Sequence, residues 1–192
     1  MYDMNLPTVS FTQQSNFSSA KVVVVPYFMK DDAPISIDIS MGSVGIFLPK
    51  DVGQSLMIPS QDGQSAATLY LCVAEKEKSI EQKIANAIAG LTDTVSDVAV
   101  NLGDIGAPFW NNISLNTSKL VSEIMVIGRN KWSVKSTNAK KKLVKRNVQI
   151  TTNIEVEDAE VKRAVALGTV QSWIQKLVAM PANYLTPTQF GK

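Results

Sequence analysis

The run Lys21-Val22-Val23-Val24-Val25-Pro26 places four β-branched residues in a row and stops at a proline. A continuous apolar run of that length is the pattern of a strand buried on both faces. Val9 to Phe11 is a shorter β-prone piece, and Leu69 to Ala74 is a second apolar run of strand length. Between Asp31 and Pro59 the signals are mixed. Ile35, Ile37, Ile39 and Met41 alternate as in a strand, while Gly42, Gly45, Pro49 and Gly53 punctuate the rest, which predicts an irregular region with short strands.

The period then lengthens. From Ser79 to Leu91 the apolar positions Ile80, Ile84, Ala87, Ile88 and Leu91 share one face of a helix, and Ser79 with Gln82 forms a capping box at its start. Asp97 to Leu102 reads as a strand closed by Gly103 and Gly106. Thr117 to Ile127 reads as a helix carrying Leu120, Val121, Ile124 and Met125. A lysine-rich stretch from Lys131 to Arg146 precedes a strand at Val148 to Ile154 and a long helix from about Glu157 to Met180. In that helix Leu167, Val170, Ile174 and Leu177 recur at helical spacing and are expected to dock it, each buried large side chain contributing ~1.5 to 3 kcal/mol. Trp173 lies beside the stripe and is expected to be partly exposed. Alternating strands and helices predict an α/β fold with a largely parallel sheet flanked by helices, because parallel neighbours need long crossovers. No internal repeat, heptad run or low-complexity tract interrupts the chain.

Composition narrows the classes. The 192 residues, 45% hydrophobic and 19% charged, suffice for one domain with a real core. Nineteen basic against seventeen acidic residues leave a net charge of +2, too little to call for nucleic acid or a membrane surface. The single cysteine, Cys72, lies inside an apolar run and reads as a buried core thiol; no internal disulfide and no multi-cysteine metal site can form. The absence of histidine removes Ser-His-Asp and Cys-His catalysis and HExxH zinc sites. The polar start Met1 to Gln14 has no apolar leader, and no apolar run reaches the ~20 residues of a membrane span. A cytoplasmic protein is expected. Asn-x-Ser matches at Asn16, Asn112 and Asn116 are discounted, since three residues of pattern arise easily by chance.

Three groups could carry chemistry. Glu155, Glu157, Asp158 and Glu160 resemble a cluster for a hard cation, but they fall at the start of the long helix, where negative charge stabilises the dipole by ~0.3 to 1 kcal/mol each. Lys140, Lys141, Lys142, Lys145 and Arg146, with Trp132 nearby, could contact phosphates. In an almost neutral chain they read as solvated side chains of a connecting loop. Gly103-Asp104-Ile105-Gly106 follows a strand, where α/β sheets commonly hold a ligand loop, yet no GxGxxG or GxxxxGK[ST] pattern is present and a tight turn is expected.

The end of the chain carries a resemblance. Gln171 to Pro187, with its Pro181-Ala182-Asn183-Tyr184-Leu185-Thr186-Pro187, resembles the linker helix and Pro-x-Asn-x-x-Thr-Pro signature of the leucyl (cytosol) aminopeptidase family. The layout from Leu120 to Ile154 is similar too. Thr186-Pro187-Thr188-Gln189 is itself a complete helix start, three residues before Lys192, so the chain is expected to be cut from a longer one. The resemblance implies a macro-domain-like three-layer sandwich with a mixed, mostly parallel sheet over residues 1–180, then a linker and helix start at 181–192 leading to an absent catalytic domain. It implies that the parent is a metal-dependent aminopeptidase that releases N-terminal amino acids from peptide substrates. Two divalent ions, zinc or manganese, would be held there by carboxylates and a lysine beyond Lys192.

The family's metal-site stretch, Asn-Thr-Asp-Ala-Glu-Gly-Arg, does not occur in this chain, so no catalytic, cofactor-binding or metal-binding residue is assigned. Pro181, Asn183, Thr186 and Pro187 carry an architectural role only. The chain alone is expected to be inactive, and a monomer or weak dimer where the parent forms a homo-hexamer. The alternative is a free-standing macro-like module binding an ADP-ribose-like nucleotide or nucleic acid, although nucleic acid is not expected.

Overall fold

In the computed structural model, which describes residues 6–12, 17, 19–35, 47–60, 65–74, 80–92, 94–102, 116–127, 145–152 and 155–179, the valine run forms the middle of a seven-stranded sheet. The elements are β1 (Thr8–Thr12), β2 (Val22–Lys30), β3 (Ala33–Ile35), β4 (Ser55–Ile58), β5 (Ala67–Cys72), α1 (Ile80–Gly90), β6 (Asp97–Asn101), α2 (Thr117–Ile127), β7 (Asn147–Thr151) and α3 (Asp158–Ala179). The strand order is β1-β7-β6-β2-β5-β4, with β3 paired to β2. Every neighbour from β1 to β5 is parallel, while β4 on β5 and β3 on β2 are antiparallel. This is a mixed, mostly parallel sheet flanked by three helices among the described residues, an α/β three-layer sandwich.

Side-chain alternation explains why β2 and β5 carry apolar residues on both faces. Val22, Val24 and Phe28 of β2 and Leu69 and Leu71 of β5 meet Ile80, Ile84, Ala85 and Ile88 of α1 on one face. Tyr27, Tyr70 and Cys72 point to the other face, against Leu48. Helix α1 connects β5 to β6 across β2, the crossover a parallel pair demands. Helix α2 follows on the same core, with Leu120 and Ile124 fully buried.

The structure corrects two expectations. Pro26 does not end its strand. The carbonyl of Tyr27 accepts the amide of Val73 on the β5 side, so the Pro26 nitrogen faces β6, whose ladder with β2 covers only Val22 to Val24. A residue without an N–H is tolerated where no ladder partner is required. The strand runs on to Lys30 and turns into β3 through Asp31 and Asp32, both at positive φ (49° and 62°), as a two-residue hairpin requires.

The second correction concerns α3. Leu177 is half-buried, but Leu167, Val170 and Ile174 of the expected stripe do not dock it. With Trp173 and Val178 they stand 48% to 81% exposed. The docked face is the opposite one, built from Ala164, Gly168 and Ser172 at four-residue spacing with Val161 and Val165 alongside. These small residues let α3 approach α2 closely: Ser172 donates to the Met125 carbonyl at 2.9 Å and Ser122 to the Ala164 carbonyl at 3.2 Å. Periodicity marks an apolar face but not what covers it, and Ala, Gly and Ser carry too little hydrophobicity to stand out in a pattern.

The helix at Thr117–Ile127 matches its expected span, and α1 and α3 match within a residue or so. Ser79 of the expected capping box, the alternating Ile37, Ile39 and Met41, and the end of the strand predicted to reach Ile154 lie outside the described residues. Among the described residues no helix is long and apolar enough to cross a membrane.

Candidate functional site

Parallel strands gather their carboxyl ends along one edge of the sheet, and ligands of open α/β sheets bind beyond that edge. Here the edge is carried by Val73 after β5, Leu102 after β6 and Thr152 after β7, each still in the ladder. Val73 donates to Tyr27 O at 2.7 Å, Leu102 to Thr151 O at 2.8 Å and Thr152 to Thr12 O at 3.1 Å. Asn101, Thr151 and Thr152 are buried polar residues on it, and the Thr151 hydroxyl, wholly enclosed, has no hydrogen-bond partner among the described residues. A buried hydroxyl without a partner is costly, so this is the place on the edge where a polar group is wanted. The loop Gly103 to Gly106, which continues from Leu102, lies outside the described residues.

Beside this edge, on the face away from α1, Tyr27 and Cys72 are locked in structural roles. The Tyr27 hydroxyl donates to the Pro49 carbonyl at 2.5 Å and the Cys72 thiol to the Lys50 carbonyl at 3.7 Å, which pins the segment after residue 47 to the sheet. Burial, reinforced by the neighbouring Cys72, pushes the Tyr27 hydroxyl far above its usual range. Burial likewise pushes the Cys72 thiol up, so Cys72 is a protonated core group, as its apolar run predicts. Lys50 also pairs with Asp32 at 2.8 Å, and this hydrogen-bonded ammonium holds the exposed carboxyl below its usual value.

The acidic candidates do not converge. Glu155, Glu157, Asp158 and Glu160 are all exposed, the last two in the first turn of α3, where they complement the helix dipole. Among the described residues no group of three or more acidic or thiol side chains is arranged to hold a metal, so no step is derived through one.

Arg146, from the basic stretch, is spent on structure. Its guanidinium donates to the carbonyls of Ile88 and of Leu91, the latter at 2.7 Å, capping the C-terminal end of α1. Lys140, Lys141, Lys142 and Trp132 lie outside the described residues, as do the linker residues Pro181, Asn183, Thr186 and Pro187.

Two polar clusters bring together residues that lie far apart in the sequence. The buried carboxylate of Glu81 accepts the Asn116 amide at 2.9 Å and pairs with Lys119 at 3.2 Å, tying the start of α1 to the start of α2. Asn116, one of the three Asn-x-Ser matches, is the N-cap of α2: its side chain accepts the Lys119 amide at 2.9 Å. A Ser/Thr/Asp/Asn preceding an apolar periodic run was the available cue. At the amino ends of the strands, Thr8 donates to Asn147 and Asn147 to Asp97, each at 2.7 Å, and Ser96 also donates to Asp97. These hydrogen bonds, Asn147 first, hold the Asp97 carboxyl below its usual value.

Solved structures share this architecture. A tomato leucine aminopeptidase variant superposes over 97% of this chain with a TM-score of 0.66 and 12% identity, using 41% of its own length. The macro domain of ganglioside induced differentiation associated protein 2 superposes over 88% of both chains with a TM-score of 0.54 and 8% identity. The chain has a macro-like α/β fold. The bottromycin maturation enzyme BotP is also similar, with a TM-score of 0.55 and 18% identity over 90% of this chain and 35% of its own. The chain thus spans well under half the length of the two enzymes it resembles. No family model and no curated protein matches the sequence.

Proposed function

We propose that this chain is the non-catalytic N-terminal domain of a leucyl aminopeptidase-like metallopeptidase, with an architectural role. The observation that carries the reading is the outer face of α3. A helix whose small-residue face already docks on α2 presents Leu167, Val170, Trp173, Ile174 and Val178 on its other side. A contiguous exposed apolar patch of this kind marks an interaction surface. The superposition supports the same reading, since it takes in nearly all of this chain and less than half of the aminopeptidase. The Pro181-to-Pro187 signature directly after α3 supports it from sequence.

In this reading the parent enzyme releases N-terminal residues from peptides, and two divalent metals, zinc or manganese, supply the chemistry in a domain beyond Lys192. That domain covers the outer face of α3, the parent assembles as a hexamer and the isolated domain does not. A cytoplasmic location belongs to the same reading. Reading the gene downstream of the Lys192 codon tests it: an Asn-Thr-Asp-Ala-Glu-Gly-Arg stretch is expected, and a stop codon there with no such stretch overturns it.

The buried Thr151 hydroxyl at the carboxyl edge, which has no hydrogen-bond partner among the described residues, favours a second reading, a macro-like module that binds a nucleotide such as ADP-ribose. Calorimetry separates the two. The first expects no binding of ADP-ribose tighter than micromolar, whereas the second expects micromolar binding that is lost in Thr151→Val or Gly103→Leu.

A further inference from the structure

One edge of the sheet has no role in either reading. β1 is a terminal strand, paired with β7 on one side and with no strand on the other among the described residues. In a parallel ladder alternate residues spend their backbone groups on the neighbour. The Thr8 amide donates to the Arg146 carbonyl at 2.9 Å, and the Thr12 carbonyl accepts the Thr152 amide at 3.1 Å, so positions 8, 10 and 12 serve β7. The N–H and C=O groups of Val9 and Phe11 therefore face away from β7, along the open edge. Such an edge is a template for another strand unless proline, lysine or a bulge blunts it. Thr8 to Thr12 holds none of these, and Ser10 at its centre is exposed.

The strand has the same chemistry in both directions. Thr8-Val9-Ser10-Phe11-Thr12 carries a hydroxyl at each end and at the centre, with one apolar residue in each gap. When a second copy runs antiparallel with the two-fold axis at Ser10, Val9 of each copy stands opposite Phe11 of the other. Both are outward-facing positions, so each pair exchanges two hydrogen bonds and every open backbone group of Val9 and Phe11 is satisfied. A slip of one residue would set outward groups against inward ones, and a slip of two would leave only one outward residue of each β1 paired within the strand. Pro7, without an N–H at the next outward position, ends the pairable edge there.

The side chains agree with this register. Val9 and Phe11 pack on the α2 side of the sheet, so pairing joins an aromatic to a β-branched residue on that face, a favourable cross-strand combination. Thr8, Ser10 and Thr12 share the other face. The sequence holds no charged residue from Met4 to Ala20, so two copies meet there without like-charge repulsion.

We propose that β1 pairs antiparallel with β1 of a second copy of this chain, about a two-fold axis at Ser10, joining two sheets into one. The near-palindrome commits the edge to a second copy, because an isologous contact sets the same patch against itself. Five residues a side fall far short of the ~20 to 30 of a stable interface, so the dimer is weak.

Sedimentation equilibrium of the 192-residue chain should show a monomer–dimer equilibrium with a Kd between about 10 μM and 1 mM. Ser10→Lys sets two ammonium groups face to face on the axis and should weaken the dimer at least ~10-fold, as should Ser10→Glu, whereas an equimolar mixture of the two should restore it. Ser10 is exposed, so the melting temperatures should not change. Cysteine pairs read the register. On oxidation Ser10→Cys should give a disulfide-linked dimer, whereas Thr8→Cys, whose two copies lie four residues apart along the strands, or about 13 Å, should not. Cys72 is buried and does not compete. The proposal is overturned by a chain that stays monomeric at about 1 mM, by a dimer that Ser10→Lys leaves intact, or by Thr8→Cys cross-linking as fast as Ser10→Cys. A dimer dissolved by Val170→Glu with Ile174→Glu but not by Ser10→Lys would place the contact on α3 and overturn it too. None of these outcomes depends on residues beyond Lys192.

Discussion

A methyl group added at Gly168 would lie 2.5 Å from Met125 Cβ and 2.9 Å from the Ser122 carbonyl oxygen, neither of which can swing away. Gly168→Ala should therefore destabilise the fold by about 1 to 3 kcal/mol through overpacking, although alanine is the better helix former by ~1 kcal/mol. Gly90→Ala, with open space around its Cβ, should be neutral or stabilising. Urea denaturation of the pair checks the contrast, and equal effects at the two glycines would contradict the close approach of α3 to α2.

Asp97 supplies a pH signature. Its carboxyl is held below its ordinary value of 3.8 by Asn147 and Ser96, so the folded state binds its proton less readily than the unfolded state. The stabilisation is present above the ordinary value and is lost as pH falls through the lowered one. Asp97→Asn should be less stable than the native chain at pH 6, and the gap should narrow progressively as pH falls below 3.8, read from denaturation midpoints. A gap that widens on acidification would contradict the assignment.

At the scale of elements, α3 is a helix with two apolar faces, of which the smaller-looking one is docked. Val170→Glu with Ile174→Glu should change the stability of the chain by no more than about 0.5 kcal/mol, as for exposed positions. Leu120→Ala, on the buried face of α2, should cost about 2 to 5 kcal/mol. Comparable losses would mean that the outer stripe is part of this domain's own core. The span of α3 was legible because helical periodicity runs through it, but its orientation was not. What fixes the orientation is close approach at Ala164, Gly168 and Ser172, a steric property that a count of hydrophobic residues does not register.

The central strands were legible for the opposite reason. A strand buried on both faces needs no orientation, so Val22 to Val25 and Leu69 to Cys72 could be read from apolarity alone. Pro26 misled because its meaning depends on where the β6 ladder ends, which is a tertiary fact. The cap of α1 by Arg146 and the tie between Glu81 and Asn116 join residues 55 and 35 positions apart, and no local pattern announces such partners.

For the whole molecule, the alternation of strand and helix was sufficient to predict an α/β sheet, and the observed order β1-β7-β6-β2-β5-β4 makes it macro-like. The candidate site was less legible, since the carboxyl edge on which Thr151 lies buried joins the ends of strands far apart in the sequence. A chain whose outer α3 face is meant for another domain should associate weakly by itself. Light scattering at micromolar concentration should give a monomer or weak dimer, and a stable hexamer of the 192-residue chain would contradict that role.

The most direct test of the aminopeptidase reading is to isolate the endogenous protein with an antibody raised against this domain and measure its mass and its hydrolysis of leucine p-nitroanilide with added manganese or zinc. The account predicts a polypeptide well above 20.9 kDa that turns over the substrate in a metal-dependent way, while the 192-residue chain alone does not. An endogenous product of 20.9 kDa without activity, or metal-dependent turnover by the chain itself, would contradict it.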